Sequence, residues 1–290
     1  MRLMYKINKE SIDYMSIFTC PVCGKPLASD EKRLVCPSAH SFDRASSGYV
    51  NLLTADKMNS KLPGDNKLMV RARQSFLERG HYGRLLDTLA AEAVKRTDVG
   101  VILDAGCGDG YYTCGVDKAL TEAGIPHITA GIDISKTAVN AAAKRSARMG
   151  LNADFAVASV FSIPAADSSC AVLMTIFAPF CADEFLRVLR RGGHMLMVIP
   201  AERHLFGLKS AVYKTPYLNE VRDYALDGFD FTEKTALSYT IKLENAEEIQ
   251  SLFMMTPYFY KTGREDQARL EALERLETEV AFELLVYTKK

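Results

Sequence analysis

The sequence predicts an α/β protein, a mostly parallel sheet with helices on both faces, preceded by a small metal-binding module. Three observations carry this. From about residue 82 apolar strands alternate with helix-periodic segments, a glycine-rich turn follows the first of those strands, and residues 18–53 are dense in Cys, Pro and Gly. A length of 290 residues suits one large α/β domain plus an accessory module. With 48% hydrophobic and 25% charged residues, the composition excludes a disordered or collagenous chain. No run approaches the roughly 20 apolar residues of a membrane-spanning helix. The N-terminal stretch, broken by Lys6, Lys9, Glu10 and Asp13, lacks the apolar block of a signal peptide. A cytoplasmic protein with no membrane contact is the expectation.

The elements follow in order. Lys61-Leu62-Pro63-Gly64-Asp65 reads as a turn inside a linker, and a helical run follows it. Gly83–Arg96 carries Leu85, Leu86, Leu89, Ala90 and Ala93 at helical spacing. Val99–Asp104 is a short apolar strand that runs into Gly106-Cys107-Gly108-Asp109-Gly110. Ile128–Asp133 is a second strand, and Lys136–Met149 is an Ala-rich helix with basic residues late in it. Ala153–Ala158, Ala171–Phe177 and His194–Ile199 are three more strands. A helix over Asp183–Leu189 and an Arg190-Arg191-Gly192-Gly193 turn separate the last two. Beyond them lie a strand over Phe231–Leu243, helices over Glu244–Met255 and Arg264–Leu276, and a strand over Val280–Thr288. Those two strands suit an antiparallel pairing at a sheet edge. The expected domains are a metal-binding module over residues 1–53, a linker and helix over 54–81, and the α/β domain over 82–290.

Charge is balanced overall but not along the chain. Residues 1–80 carry 13 Lys/Arg against 8 Asp/Glu, and residues 220–290 carry 9 against 15. A basic N-terminal part permits contact with a polyanion that the global balance hides, although most such segments are only solvated surface.

Seven cysteines, an odd number without a secretory signal, argue against a disulfide framework. Cys20-Pro21-Val22-Cys23 is followed by Cys36 after twelve residues and by His40 after three more. Two such knuckles bring three thiolates and an imidazole together, the donor set of a tetrahedral structural zinc site with no position left for activated water. A pair of redox-active thiols or buried cysteines is the alternative, and it leaves the second pair, Cys36 and His40, unexplained.

The turn after the first strand is the second chemical signature. Asp104 precedes Gly106, Gly108 and Gly110, and Asp133 closes the second strand. Glycines let a ligand approach the backbone, and carboxylates at strand ends suit ribose hydroxyls while repelling a diphosphate. The Lys-Ser/Thr pair of a phosphate-cradling loop is missing. Another nucleotide-type ligand is the alternative.

These residues resemble the class I S-adenosylmethionine-dependent methyltransferases, which have a Rossmann-like fold. The resemblance implies that Asp104, Gly106, Gly108 and Gly110 hold the methionine part of the cofactor. It further implies that Asp133 binds the ribose and that Ser159 contacts the adenine. With the zinc knuckles upstream, the whole chain is similar to the RlmA family of 23S rRNA (guanine-N1)-methyltransferases. The stretches that carry this include Gly48-Tyr49-Val50-Asn51-Leu52-Leu53, Pro63-Gly64-Asp65, Gly80-His81-Tyr82, Phe177-Ala178-Pro179, Arg203-His204-Leu205 and Met255-Thr256-Pro257. The resemblance implies methyl transfer to N1 of a guanine in a hairpin of domain II of 23S rRNA, and one branch of the family contributes to macrolide resistance. It also carries Tyr82, Asp109 and His204 to cofactor-binding positions, and it is compatible with a homodimer. His204 also reads as a polar residue opening a helix. The first 17 residues precede the family's usual start.

Guanine N1 is protonated at neutral pH, so it must lose a proton on or near the transfer step. Asp183, Glu184 and Asp65 are candidate acceptors, and the sequence does not choose among them. Phe177 and Phe180 follow the fourth strand, where such enzymes place the target base, and either stack on it or pack in the core. Two rival functions stay open: a methyltransferase acting on another RNA or a small molecule, and a non-catalytic rRNA-binding or assembly protein.

Overall fold

The computed structural model describes residues 14–30, 32–54, 64–220 and 223–290. The expected N-terminal extension, up to residue 13, and the Lys61–Pro63 part of the expected turn lie outside them. At the N-terminus β1 (Tyr14–Thr19), β2 (Pro26–Ser29), β3 (Arg33–Val35) and β4 (Ser41–Asp43) form an antiparallel four-stranded ribbon in sequence order. Its strands are short because each is interrupted by a knuckle or a turn. Phe18, Leu27 and Leu34 supply its buried face.

The second sheet has eight strands. β5 (Val50–Asn51) pairs in parallel with β8 (Asp154–Val157), which continues through β7 (His127–Asp133), β6 (Gly100–Ala105), β9 (Cys170–Ile176) and β10 (Leu189–Pro200), all parallel. β12 (Leu276–Lys289) and β11 (Phe229–Leu243) complete the far edge, antiparallel to β10 and to each other. The helices are α1 (Lys67–Glu78), α2 (Gly83–Arg96), α3 (Tyr111–Glu122), α4 (Lys136–Arg148), α5 (Ala182–Val188), α6 (Phe206–Val212), α7 (Ala246–Met254), α8 (Tyr258–Lys261) and α9 (Arg264–Glu271). The Asn66 side chain caps α1 by accepting from the backbone N–H groups of Leu68 and Met69. The order β7-β6-β9 reverses direction at β6, and the crevice at the carboxyl ends of β6 and β9 is where such a sheet binds ligands.

Each face of the sheet has a core. One joins Ile102, Val172 and Met174 to Leu85, Leu89, Ile249 and Phe282. The other joins Leu103, Leu173 and Phe185 to Phe18, Leu27 and Leu34 of the ribbon. Ribbon and sheet also meet where Thr19 N–H donates to the Pro164 carbonyl at 2.8 Å and where Arg44 pairs with Asp154 at 3.4 Å.

Three differences from the sequence reading have physical causes. The expected Arg190-Arg191-Gly192-Gly193 turn is strand: β10 starts at Leu189, and a register irregularity before His194 absorbs the glycines, Gly192 at φ 71°. The last strand starts at Leu276 rather than Val280, because Leu276 pairs with Leu243 in a ladder that overrides the helical propensity of a Glu-rich segment. The last expected helix therefore stops at Glu271. The domain boundary at residue 53 is not a structural divide, since β5 belongs to the large sheet, and α1, in the expected linker, buries Met69, Val70, Phe76 and Leu77.

Candidate active site and metal centre

The cofactor turn is built by the carboxyl ends of β6 and β7. Gly106 N–H and Cys107 N–H both donate to the Ile132 carbonyl, at 2.8 and 2.9 Å, which folds the turn back against β7. Gly106 adopts φ 90°, and a Cβ there would lie 2.4 Å from the Ala178 Cβ, so only glycine lets the turn meet the segment after β9. Gly110, at φ 75°, begins α3 with the same constraint against Ala142.

Three carboxylates serve this turn in different ways. Asp104 is buried; one oxygen accepts from the Thr113 hydroxyl at 2.5 Å, and the other, Oδ1, has no partner among the described residues. Burial pushes its pKa up to about 7, with the Asp133 charge adding and Thr113 opposing. Asp133 accepts from Ser135 N–H at 2.8 Å and from Gly108 N–H at 3.0 Å, and burial raises its pKa against those two bonds. Asp109 sits in a buried pair with Arg145 at 2.6 Å, which fastens the turn to α4. The family resemblance carries Asp109 to a cofactor-binding position, and the structure pairs its side chain with Arg145.

An aromatic cluster adjoins the turn. Tyr82, at the start of α2 and 2% exposed, meets Phe76 and Phe282 edge-on, with ring centroids 4.9 and 4.8 Å away. His204 packs on Phe282 at 4.8 Å and stacks on Phe177 at 6.2 Å, and its Nδ1 accepts from Ala281 N–H at 3.2 Å. Burial, helped by the Lys209 charge, pushes its pKa down to about 3, so the imidazole is neutral and Nε2 carries the hydrogen. The buried Tyr112 hydroxyl has no partner among the described residues. Phe282 and Tyr112 escaped the site reading of the sequence. Only the Tyr111-Tyr112 continuation of the glycine motif hinted at Tyr112, and nothing local marks Phe282.

Phe177 takes a left-handed backbone, φ 55°, and the residue is 44% exposed. A phenylalanine held there costs backbone energy and is not a core residue, which favours a presented ring over core packing. Phe180 is 37% exposed and rests edge-on against Phe185 at 5.4 Å. Ser159 lines a cavity of about 430 Å³ at the ribbon seam, together with Cys20, Pro21 and Glu184. Its hydroxyl accepts from Phe161 N–H at 3.2 Å.

The candidate proton acceptors are not alike. Glu184 accepts from Ile163 N–H and holds Arg187 through both oxygens, at 2.7 and 2.8 Å. Asp65 pairs with Arg73 at 2.6 Å. Asp183 is exposed in the first turn of α5.

In the ribbon, Cys20, Cys23, Cys36 and His40 bring one ligand atom each to within 4.8 Å of one another. Cys20 Sγ and Cys36 Sγ lie 3.5 and 3.4 Å from His40 Nδ1, and Cys23 Sγ lies 3.7 Å from Cys36 Sγ. Zn–S bonds of about 2.3 Å and a Zn–N bond of about 2.0 Å give tetrahedral edges of about 3.5–3.8 Å, so the quartet fits zinc. Backbone N–H donation at Lys25, aided by the neighbouring ligands, lowers the exposed Cys23 thiol to about 6. All seven cysteines are unbridged.

The unpartnered Asp104 oxygen and Tyr112 hydroxyl, with Asp133 one strand away, fit S-adenosylmethionine, which brings an ammonium and ribose hydroxyls. Fold, turn and quartet together define an S-adenosylmethionine-dependent methyltransferase with a structural zinc ribbon. Residues 18–61 match the N-terminal domain of RlmA, and residues 102–193 match a methyltransferase domain. The chain is 38% identical over 216 residues to a Micromonospora griseorubida protein provisionally named 23S rRNA (guanine-N(1)-)-methyltransferase, covering 68% of this chain and 70% of the relative. It is 37% identical to the 23S rRNA (guanine(748)-N(1))-methyltransferase of Streptomyces fradiae, covering 67% and 66%. A Bacillus subtilis relative with the same provisional name, YxjB, is 29% identical over 97% of this chain and its own full length. The chain belongs to the RlmA family of 23S rRNA (guanine-N1)-methyltransferases.

Proposed function

We propose that this chain methylates N1 of a guanine in a hairpin of domain II of 23S rRNA. In this reading Asp104, Gly106, Gly108, Gly110, Asp133, Tyr82 and His204 hold the cofactor, Ser159 borders its adenine end, and the ribbon recognises the RNA. The observation that supports it most is the half-exposed Phe177 ring, held in a strained turn against the cofactor loop at the Gly106–Ala178 contact. S-adenosylmethionine supplies an electrophilic methyl group. The chain's own residues bind and align: Phe177 and Phe180 stack a guanine turned out of its helix. Such alignment removes on the order of 7–11 kcal/mol of barrier in favourable systems. The N1 proton departs as the methyl arrives, and Asp183, exposed beside Phe180, is the acceptor candidate with the fewest structural commitments.

No helix among the described residues is long and apolar enough to cross a membrane. A cytoplasmic location, where rRNA is met, is part of this proposal. A homodimer and a share in macrolide resistance belong to the same proposal. Primer extension on 23S rRNA tests it, because N1-methylguanine blocks Watson–Crick pairing and stops reverse transcriptase. Deleting the gene should remove one stop in the domain II hairpin, and the purified protein should restore it. An unchanged stop pattern would send the methyl group to another substrate.

A further inference from the structure

We propose that Arg73 of α1 binds the α-carboxylate of the cofactor's methionine part, an inference that rests on the S-adenosylmethionine assignment above. The Arg73 guanidinium lies against the cofactor turn: its Nη1 is 3.4 Å from the place where a Cβ on Gly108 would sit. Nη2 is held by Asp65 at 2.6 Å, while the buried Nε has no hydrogen-bond partner among the described residues. Its charge reaches the pocket wall, since it favours the ionised forms of Tyr82, Tyr112 and Asp133.

The charge pattern of the ligand selects the group that this guanidinium would take. S-adenosylmethionine carries a sulfonium, an ammonium and one carboxylate. The pocket offers Asp104 and Asp133 as acceptors, which suit the ammonium and the ribose but repel a carboxylate. The Asp109 charge is already met by Arg145. A carboxylate between Asp104 and Asp133 therefore needs a cation resting on the same turn, and a guanidinium fork matches a carboxylate in two parallel bonds.

The arm that carries Arg73 is pinned for the purpose. The Asp65 carbonyl accepts from the Ser135 hydroxyl at 2.6 Å, and Ser135 N–H in turn donates to Asp133. Asp65 is thus a positioning residue: its carboxylate aims the fork and its backbone ties α1 to the ribose-binding strand end. That role also explains why an acidic residue stands just ahead of the α1 cap.

The test compares S-adenosylmethionine with decarboxylated S-adenosylmethionine, which keeps the sulfonium, ammonium and adenosine. Calorimetric affinities are measured for the full chain and for Arg73→Gln and Arg73→Lys. The full chain should bind S-adenosylmethionine at least tenfold more tightly than the decarboxylated form. Arg73→Gln should lose roughly 10- to 100-fold for S-adenosylmethionine and less than about threefold for the analogue, with Arg73→Lys between. Equal losses for both ligands would make Arg73 a structural partner of Asp65 and overturn the assignment. If Arg73→Gln fails to fold, the comparison in the unsubstituted chain still decides, because equal affinity for the two ligands overturns it. Failure of the unsubstituted chain to bind either ligand would overturn the cofactor reading itself, and this assignment with it.

Discussion

Asp104 carries a cost that its neighbours in the fold do not offset. One oxygen has Thr113 and the other has no partner among the described residues, inside a fully buried site. Its carboxyl is raised from 3.8 to about 7 in the fold, so the protonated form is the one that suits the native state. Stability from this group is full below about pH 4 and is lost as pH rises through about 7. At about 1.4 kcal/mol per unit, the loss is on the order of 4 kcal/mol at pH 8. Asp104→Asn keeps an acceptor for Thr113 and removes the charge. Without ligand it should unfold at a higher temperature than the unsubstituted chain at pH 8 and at nearly the same temperature at pH 4. It should also bind S-adenosylmethionine more weakly, having lost its ionic acceptor. Thermal unfolding at the two pH values checks the first part and calorimetry the second; a stability gain that does not depend on pH would assign the strain elsewhere.

At the scale of elements, the turn after β9 sets backbone strain against function. Phe177 sits at φ 55°, a region that costs an L-residue roughly 1–2 kcal/mol and glycine little. Two substitutions separate backbone from ring. Phe177→Gly relieves the strain and Phe177→Ala retains it, so the glycine variant should be the more stable by about 1 kcal/mol in denaturant unfolding. Both lose the ring and should lose methyl transfer alike, by an amount in line with the 1–3 kcal/mol of one base–aromatic stack. Full transfer by the alanine variant would return Phe177 to the packing around His204 and Phe282. The edge strands show a different logic: β12 is long because it serves two ladders, with β10 and with β11, each of which rewards extending it.

For the whole molecule, the ribbon is fused to the transferase rather than tethered to it. Phe18, Leu27 and Leu34 lie in the same core as Leu103, Leu173 and Phe185, and β5 is a strand of the large sheet. A ribbon this small buries too little apolar surface to persist without its metal. Cys23→Ser should therefore lower zinc from about one per chain to none. It should also lower the unfolding temperature of the entire protein, since each of those three side chains contributes roughly 1.5–3 kcal/mol when buried. The cofactor turn depends on β6, β7 and α3, so affinity for S-adenosylmethionine should stay within about threefold at a temperature where the sheet is folded. Methylation of the rRNA hairpin should collapse. Elemental analysis, calorimetry and a methyl-transfer assay on the same sample check this, and full methylation with zinc demonstrably absent would remove the ribbon from RNA recognition.

What could be read without coordinates was local. The Cys20, Cys23, Cys36 and His40 quartet lies within two adjacent turns, and Asp104 to Gly110 is one strand-turn-helix unit whose glycines answer constraints a few residues wide. The parallel sheet followed from strand and helix periodicity for the same reason. Tertiary packing decided the rest. Asp109 meets Arg145, 36 positions away, and His204 meets Ala281, 77 positions away. Phe282 reaches the same cluster from the last strand. Arg73 joins the cofactor turn because α1 packs between α4 and α7. The Arg190–Gly193 segment lies within β10 because ladder pairs bracket it, Leu189 with Cys170 on one side and His194 with Val172 and Thr288 on the other. Local sequence encodes dihedral preference and short-range ligand geometry; which distant side chains share one pocket is set only when apolar faces are buried together, and no short stretch of sequence carries that information.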